Sequence, residues 1–560
     1  MMKKSLVILI ALCALLSFTS CAGGNGGFSS GGGGGKGPEI GDDYEFTAPD
    51  TNPKSDIDVS AWATYPFVKI AANGAVPDAP STSYRVYMAR GETEGCQIAF
   101  RPQSDTSALT LKCVYKEESS IEYKIYVFDT NYNINGQLLP DPAKAYTEGA
   151  PFDVKSGKTL PFLVEFTSLR TEKAGFYPFV FELRDSSDKT VAQYTLIVRV
   201  WDISLPEKRT YSSSVVISEK NISLYYFGEE KEMSDEVYVR YYNMLLEHNM
   251  SAQWLPYDIL DSRADEYMSD PRVTSFRVPH DVSDEKLLEY YKKLKVNTKW
   301  LHKAYFMPLG EPDTVEEIEQ FAEMSMHLQQ LCPGIKVTAP IYKDIQIDPI
   351  GWDQINAMKG YCTLWCPKLC LWDDEMSYGD HDYEHSMTFE ERMRKMMSEG
   401  YGVWTYISHT PSAPYTAMFV NHSGLSQRVL FWQQFQRGIC GFIYWSSNAW
   451  TTPFITVNPW ENVHTGLYDD DGKPVFGDGI LFYPGENIDD VPTVSHRMKI
   501  MRDGIDDMEL LMLAAKTLGN RWINERVNSI SSSLTSIEAD EEAFNKIRIE
   551  IGNALEKALP

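Results

Sequence analysis

The hydrophobic periodicity of this chain changes at Leu205-Pro206, and no other sequence feature restricts the fold as strongly. Between residues 51 and 205, short β-branched and aromatic runs alternate with turn residues, and no stretch has a helical period. This pattern predicts an all-β sandwich domain over residues 51–205. Its clearest predicted strands are Ser83–Met88, Gly95–Arg101, Leu109–Tyr115, Glu122–Phe128, Leu160–Phe166 and Tyr194–Trp201.

From residue 206, short apolar strands alternate with helical segments. The predicted strands include Ser212–Ile217, Ala304–Pro308, Lys336–Ile341, Gly402–Ile407 and Gly441–Trp445. The predicted helices include Glu236–His248, Asp284–Leu294, Val315–Leu331, Phe389–Glu399, Ser426–Arg437 and Val494–Leu518. This alternation predicts an α/β fold, and the length of residues 206–530 favours a TIM-type (β/α)8 barrel. A doubly wound open sheet is the alternative, although no Gly-rich phosphate loop follows any strand. Residues 531–560 are predicted to form a helical tail.

Two of the predicted helices begin with the residues of a capping box, in which the first and fourth residues cap each other. We predict Asp313 with Glu316 for the first of these boxes and Thr388 with Glu391 for the second.

The first twenty residues have the features of an export signal. Lys3 and Lys4 precede the apolar run Leu6–Leu16, which is too short to cross a bilayer. Phe18-Thr19-Ser20-Cys21 resembles a bacterial lipobox, which implies cleavage before Cys21 and a diacylglycerol on its thiol. Residues 21–50 would then be a Gly/Ser-rich tether to the outer membrane, facing the periplasm or the cell surface. The alternative is an ordinary secretory signal with an incidental cysteine.

The net charge argues against nucleic-acid partners. The chain has 78 acidic and 52 basic side chains, so its formal charge is −26. Removal of the predicted signal peptide deletes two lysines and leaves 50 − 78 = −28. Such a surface repels phosphate backbones. Seven cysteines lie beyond Cys21, and Cys96 and Cys113 could pair across neighbouring strands.

Aromatic and carboxylate side chains follow several of the predicted barrel strands. In a barrel, the carboxyl ends of the strands surround the active site. Sugar rings offer apolar faces to aromatic planes and hydroxyl groups to amides and carboxylates, so this mixture favours a saccharide ligand. The predicted sugar contacts are Tyr305, Trp365, Tyr406, Trp445, Asn448 and Trp450. Each Trp could instead pack the barrel, as we predict for Trp404 and Phe442.

The segment Leu309-Gly310-Glu311-Pro312 gives the sharpest local indication of chemistry. Glu311 comes directly after a predicted strand and is fixed by a proline, a suitable position for a general acid. The alternative is an exposed glutamate that precedes a helix and is favoured by its dipole.

Several motifs, in order, resemble one enzyme family. They are Tyr305-Phe306 leading to Glu311-Pro312, Gly402-Val403-Trp404-Thr405-Tyr406, Gly441-Phe442-Ile443-Tyr444-Trp445 with Trp450, Pro459-Trp460, residues 477–485 and residues 502–507. In these motifs, residues 205–530 resemble the catalytic domain of glycoside hydrolase family 123, also catalogued as domain of unknown function 4091. The segment 90–97 and the join Val200-Trp201-Asp202 to Leu205-Pro206 also resemble the β-sandwich that precedes that domain.

This resemblance implies a retaining exo-β-N-acetylgalactosaminidase with substrate-assisted catalysis and no cofactor. The substrate's acetamido oxygen attacks C1, a Glu serves as acid and base, and a preceding Asp orients the acetamido group. Glu311 matches the Glu, but Gly310 stands where the family has Asp. Asp374, with its neighbours Asp373 and Glu375, could supply a second carboxylate, or these residues could form a solvated loop. The sequence therefore predicts a glycosidase of terminal sugars on oligosaccharides or glycoconjugates. A glycosidase of different sugar specificity and a catalytically weak or inactive glycan-binding lipoprotein are the alternatives.

Two motifs with metal-site spacing have simpler interpretations. His381-Asp382-Tyr383-Glu384-His385 matches a zinc pattern that requires a helix, but its surroundings predict a loop. Asp469-Asp470-Asp471-Gly472 resembles the start of a calcium loop but has no acidic residue at position twelve, so we predict a turn. No metal site is expected.

Overall fold

A computed structural model describes residues 44–50, 53–343, 353–373, 387–452 and 455–559 of the chain. The predictions on the signal peptide, Cys21, Asp374 and the His381–His385 motif lie outside these ranges. No helix in the described ranges is both long and apolar enough to cross a membrane.

The N-terminal region is rich in strands. They are β1 (Val59–Thr64), β2 (Ser83–Arg90), β3 (Thr93–Pro102), β4 (Thr106–Lys116), β5 (Glu122–Val127), β6 (Asn131–Ile134), β7 (Gln137–Pro140), β8 (Pro142–Ala145), β9 (Phe152–Val154), β10 (Leu160–Thr167), β11 (Gly175–Arg184) and β12 (Thr190–Ser204). The predicted strands are all present in this set.

The predicted strands do not include β11, which contains Pro178, a residue without a backbone donor. The structure pairs β11 with β12 and β4 on its two sides, and the Pro178 carbonyl accepts a hydrogen bond from the Glu117 N–H at 3.1 Å. The proline therefore lies where the lost donor is tolerated.

The C-terminal region alternates strands with helices. Its strands are β13 (Ser212–Val215), β14 (Phe276–Arg277), β15 (Ala304–Phe306), β16 (Lys336–Ile341), β17 (Leu364–Pro367), β18 (Gly402–Val403), β19 (Thr405–Ile407), β20 (Gly441–Tyr444), β21 (Phe482–Tyr483) and β22 (Thr493–Ser495). Its helices are α1 (Glu219–Phe227), α2 (Asp235–Glu247), α3 (Ala264–Ser269), α4 (Asp284–Leu294), α5 (Thr298–Lys303), α6 (Val315–Leu331), α7 (Gln354–Met358), α8 (Phe389–Ser398), α9 (Gly424–Arg437), α10 (His496–Leu518), α11 (Asn520–Ile530) and α12 (Glu541–Ala558). The chain is thus a mixed α/β protein with a sheet-rich N-terminal region.

Helices α4 and α6 agree with the predicted bounds residue for residue. The predicted cap of α6 is wrong by one position, since the capping box is formed by Thr314 and Glu317 rather than by Asp313 and Glu316. The predicted box of Thr388 with Glu391 is confirmed at α8.

Two N-terminal sheets share one cluster of buried apolar side chains. One sheet has the order β1-β3-β10-β5-β8-β22-β21, and the other has the order β2-β12-β11-β4-β9. Val164 and Phe166 of β10 and Phe179 and Phe181 of β11 belong to this common cluster, with alternate residues of each strand pointing inward. Cys96 is on β3 and Cys113 is on β4, and these strands belong to different sheets. Both cysteines are free thiols, so the possible disulfide between them is not formed.

The remaining long sheets are parallel. Their orders are β14-β15-β16-β17-β18 and β13-β20-β19. Trp404 lies between β18 and β19. Its backbone N–H donates a hydrogen bond to the backbone carbonyl of Trp365 at 2.7 Å and so connects the two sheets. On the other side, residues 251–253 lie between β13 and β14. The backbone N–H of Gln253 donates to the Val215 carbonyl at 2.8 Å, and the Gln253 carbonyl accepts from the backbone N–H of Arg277 at 2.7 Å.

Strands β21 and β22 do not follow the predicted division of the chain at residue 206. They extend the N-terminal sheet, where Val494 of β22 is opposite Ala143 of β8. Because the second half of the chain completes a sheet of the first half, the two regions pack as one body.

A buried ion network holds the same two regions together. Arg428 of α9 pairs with Glu94 at 2.6 Å and with Asp507 of α10 at 2.7 Å. Arg548 of α12 pairs with Asp507 at 2.6 Å and also with Glu92. These side chains are at most 6% exposed. The motifs around Glu94 and Asp507 are therefore structural parts of one interface.

Removing Arg428 should destabilise the protein strongly, because Glu94 and Asp507 would lose a guanidinium partner while they stay buried. For Arg428→Ala we expect a loss of about 3–5 kcal/mol in the free energy of unfolding, measured by urea denaturation. Arg521→Ala is the control, since Arg521 is 94% exposed and forms its ion pair with Glu525 of its own helix. Equal losses in the two variants would contradict the structural role of the network.

Candidate active site

Glu311 lies in the loop between β15 and α6, with its side chain exposed to solvent. Its backbone has a φ of +48°, which is uncommon for a residue other than glycine. The Tyr406 hydroxyl on β19 donates a hydrogen bond to Glu311 Oε1. Burial and the charge of Glu311 raise the pKa of Tyr406 far above its usual value, so the phenol remains a donor. A buried strand residue thus orients an exposed carboxylate.

The loop around Glu311 is fixed on both sides. The Pro312 carbonyl accepts a hydrogen bond from Gln354 Nε2 at 2.7 Å. Asp313 pairs with Lys343, just after β16, at 3.3 Å. Gly310 itself has open space beside it, since a Cβ at this position would meet no atom within 4 Å. The loop therefore has room for a side chain at position 310.

Polar and aromatic groups surround the Glu311 loop. Lys368 directly follows β17, is 2% exposed, and has its Nζ 4.3 Å from the ring centroid of Tyr342. Burial lowers the pKa of Lys368 and also that of His409. The negative charges of Glu311 and Asp470 act in the opposite direction and raise both pKa values. The Ser412 N–H donates to Asp470 Oδ2 at 3.3 Å. The site thus contains two carboxylates, one ammonium group and one imidazole.

Asp470 reaches this site from the turn that the sequence predicts at 469–472. Asp469 Oδ1 accepts the N–H groups of Asp471 at 3.0 Å and of Lys473 at 2.8 Å. Asp471 also donates its N–H to Ser412 Oγ at 3.0 Å. The turn prediction is confirmed, and the turn is docked on the loop that follows β19.

Tyr305 and Trp365 are buried. The Tyr305 and Ser214 hydroxyls are 2.6 Å apart, and Tyr305 packs with Trp404 and Tyr406 in one apolar cluster. On β17, Leu364 and Cys366 belong to that cluster, so the side chain between them points the opposite way. Trp365 accordingly packs against Tyr401 and is 0% exposed. The structure thus places both rings in packing positions, and Trp404 and Phe442 are buried as predicted.

Asn448 and Trp450 are also buried and bonded to the protein. The Asn448 amide group accepts from the Ser218 N–H and donates to the Ser218 carbonyl, each at 2.9 Å, and so fixes the start of α1. Trp450 donates its Nε1–H to the Phe482 carbonyl at 2.9 Å and packs against Tyr225. Neither side chain is free for a ligand in this arrangement.

Trp445 is half-buried and is held by Asp478, which is not among the predicted site residues. Asp478 accepts hydrogen bonds from Trp445 Nε1 at 2.8 Å and from the Tyr444 hydroxyl at 3.0 Å. A Cβ on Gly479, whose φ is +71°, would lie 2.6 Å from the Trp445 ring. The sequence Gly477-Asp478-Gly479 could therefore have indicated this contact, because a glycine permits such a close approach.

Asp478 should give the protein a measurable pH dependence of stability. Burial raises the pKa of Asp478 to about 6. Because the folded pKa is above the unfolded value, its stabilising contribution is complete below about pH 4 and is lost as the pH rises through 6. Between pH 4 and 7, the free energy of unfolding of the wild type should fall by about 2 kcal/mol more than that of Asp478→Asn, measured by urea denaturation. Parallel losses in both proteins would contradict this assignment.

Comparisons with known proteins agree with this architecture. Residues 285–514 match the family model described as glycoside hydrolase 123, catalytic domain. A comparison with curated proteins gave no match. Among solved structures, the chain is similar to a family 123 glycoside hydrolase from Clostridium perfringens, studied for glycolipid glycan hydrolysis. The identity is 12%, the TM-score is 0.59, and the similarity covers 89% of this chain and 98% of that chain.

Two further structures have only a low structural similarity to this chain. A β-glucuronidase from Bacteroides uniformis has 12% identity and a TM-score of 0.26, over 71% of this chain and 47% of that chain. A putative β-galactosidase from Bacteroides fragilis has 10% identity and a TM-score of 0.23, over 69% and 56%. Residues 285–514 thus match the catalytic domain of glycoside hydrolase family 123, a match that supports a glycosidase, and the chain shares the fold of a solved member of that family.

Proposed function

We propose that this protein hydrolyses terminal glycosidic bonds of glycans, with Glu311 as the acid and base. The observation that carries the proposal is the Glu311 carboxylate, exposed to solvent in the matched domain and oriented by the Tyr406 hydroxyl. A carboxylic acid in this position donates a proton to the leaving oxygen and afterwards takes a proton from water. Tyr406 is a positioning residue in this scheme.

We infer that the parallel strands close into a TIM-type (β/α)8 barrel. The ring consists of β13, residues 251–253, β14, β15, β16, β17, the interrupted strand β18/β19, and β20, in that order. The loops with Glu311 and Lys368 then extend from the carboxyl ends of β15 and β17, where barrel enzymes have their sites. The two N-terminal sheets would form the β-sandwich over residues 51–205, with β21 and β22 as additions from the barrel domain at 206–530.

The family resemblance supports a substrate-assisted reaction as the mechanism. The acetamido oxygen of the substrate would attack C1 while the C1–O bond breaks and the leaving oxygen takes the Glu311 proton. Water, deprotonated by Glu311, would then attack C1 and restore the acetamido group. Gly310 leaves the acetamido N–H without its neighbouring carboxylate, so sugars without this group are also candidate substrates. Asp374 remains a candidate for the second carboxylate.

The other predicted sugar contacts divide into two groups. Trp445 is half-buried, and we propose that it contacts the sugar while Asp478 holds its indole in place. Tyr305, Trp365, Asn448 and Trp450 would act indirectly, by supporting the wall of the site.

We also propose that Cys21 carries a lipid and anchors the protein to the bacterial outer membrane, facing the periplasm or the cell surface. The lipobox-like residues 18–21 support this location. The mass of the mature N-terminal peptide tests it, since an unmodified Cys21 or an intact signal peptide would contradict the anchor.

The second candidate function is glycan binding without catalysis, and Gly310 is the observation that favours it. The two functions are separated by incubating the protein with 4-nitrophenyl N-acetyl-β-galactosaminide and a panel of other 4-nitrophenyl glycosides. Release of nitrophenol supports the glycosidase. Sugar binding, measured by calorimetry, without turnover of any substrate would support the binding protein instead.

A further inference from the structure

Arg277, the last residue of β14, faces the same side of the parallel sheet as the tyrosine that orients the acid. Its neighbours Phe276 and Val278 both belong to the large apolar cluster on the other side, so Arg277 between them points the opposite way. Arg277 is directly opposite Tyr305 of β15, and Tyr305 packs in one cluster with Tyr406. The guanidinium therefore lies on the side of the sheet that holds the candidate active site.

Two kinds of contact fix this guanidinium beside the loop with the acid. Arg277 Nη2 and His280 Nε2 both donate to the Met307 carbonyl, at 2.7 Å and 2.9 Å. Met307 is the first residue after β15 and precedes Glu311 by four positions. Arg277 Cζ is also 4.7 Å from the centroid of the Trp254 ring, a cation–π contact. The guanidinium is thus held in one orientation at the carboxyl end of its strand.

The charge of Arg277 is largely buried and has no ion pair. Across the described residues, no carboxylate lies within 4.0 Å of its guanidinium, and the charge of the exposed Asp281 acts on it only from farther away. Arg277 Nε makes no hydrogen bond, and Nη1 has no partner in the described ranges either. A buried cation is costly unless an opposite charge compensates it. Arg277 therefore lacks the negative partner that such a position needs.

The charges around this position also favour an anionic ligand. Leu364 and Cys366 of β17 lie in the apolar cluster on the same side of the sheet, so Lys368, two residues further, faces that side as well. Within the described ranges Lys368 has no ion pair either. Gly310 stands where the family resemblance implies an Asp, which leaves this end of the sheet with one negative charge fewer. On a chain with a net charge of −26, these cations form a local attraction for an anion.

We propose that Arg277 binds an anionic group, either a carboxylate or a sulfate ester, on the terminal sugar of the glycan. The inference rests on the proposed function, because a terminal sugar enters a site at the carboxyl ends of the strands first and lies deepest, where strand residues reach it. Nη1 donates a charge-assisted hydrogen bond to the anionic oxygen, while Trp254 and the Met307 carbonyl keep the guanidinium in place. The substrate class is accordingly a glycan that ends in a uronic acid or in a sulfated sugar.

The test compares 4-nitrophenyl glycosides that differ only in charge. Each neutral member of the nitrophenyl panel is paired with its uronide and with its monosulfated forms. We expect kcat/KM of the wild type to be at least about tenfold higher for one anionic form than for its neutral counterpart, the value of one hydrogen bond between charged groups. A preference for the uronide identifies a carboxylate, and a preference for a sulfated form identifies a sulfate ester.

Arg277→Gln removes the charge and tests the residue itself. The ratio of kcat/KM for the preferred anionic form to that for its neutral counterpart should fall at least about tenfold. A general effect on folding lowers both rates alike and leaves this ratio unchanged, and an unchanged ratio would contradict the assignment. Arg272→Gln is the matched control, since Arg272 precedes the amino end of β14 and pairs with Asp270 at 2.6 Å. It should keep the wild-type ratio.

The outcomes separate this proposal from the proposed function. If the wild type cleaves neutral glycosides and prefers none of the anionic forms, the anion site is wrong while the glycosidase stands. If no glycoside is cleaved, the proposed function fails, and calorimetry with free glucuronate and sulfated N-acetylgalactosamine then decides the anion site. Binding that Arg277→Gln weakens at least about tenfold would support the site. Absence of binding, or equal binding by both proteins, would overturn it.

Discussion

Replacing Gly310 by Asp should raise the turnover of 4-nitrophenyl N-acetyl-β-galactosaminide by about 10²–10³-fold. The new carboxylate would lie next to Glu311 and accept a hydrogen bond from the acetamido N–H while the acetamido oxygen attacks C1. One electrostatic interaction of this kind changes kcat by roughly 10²–10³-fold. The protein has room for it, because a Cβ at position 310 meets no atom within 4 Å and Gly310 is outside the left-handed region. The measurement is kcat for the two proteins at saturating substrate.

Gly310→Asn is the control for this variant, since asparagine has nearly the same size without the charge. We expect little gain from it. If Gly310→Asp binds the sugar but turns it over no faster than the wild type, Gly310 is not what limits activity on acetamido sugars.

Replacing Glu311 by Gln should lower kcat/KM for phenyl glycosides by about 10²–10⁴-fold, because the amide cannot donate the proton that the leaving oxygen needs. The amide still accepts the Tyr406 hydrogen bond, so the loop should keep its conformation. Glu316→Gln is the matched control, as Glu316 is an exposed glutamate in the first turn of α6. A similar loss in both variants would contradict a specific role for Glu311.

Local patterns in the sequence were sufficient to predict the main helices and strands of this fold. The helical period of α4 and α6 and the apolar run of β16 were predicted residue for residue, because each element has its own periodicity and clear ends. The loop with Glu311 was also predictable, since its position follows directly from the end of β15.

The direction of a side chain at a strand end was not predictable in the same way. Trp365 points away from the apolar cluster of Tyr305, Trp404 and Tyr406, because its neighbours Leu364 and Cys366 belong to that cluster, and this choice depends on the register with β16. Trp450 is buried by α1, whose position depends on long-range packing. A period-2 pattern tells which residues share a face, but it does not tell which face a ligand meets.

Contacts between residues far apart in sequence were also not predictable. Tyr406 and Glu311 are 95 residues apart in sequence, and Arg428 and Glu94 are 334 apart. The motif around Glu94 carried the family resemblance, yet its glutamates serve a buried ion network. Whether a charged motif binds a substrate or holds two regions of the chain together depends on the partner that the fold brings to it.

The most direct test of Glu311 as the general acid is the effect of Glu311→Gln on aryl glycosides with different leaving groups. The 2,4-dinitrophenolate anion departs without protonation, whereas phenolate needs the acid. We expect Glu311→Gln to lower kcat/KM for the phenyl glycoside by at least about 10²-fold and to change the value for the dinitrophenyl glycoside less than about tenfold. An equal loss on both substrates, or none on either, would contradict Glu311 as the general acid.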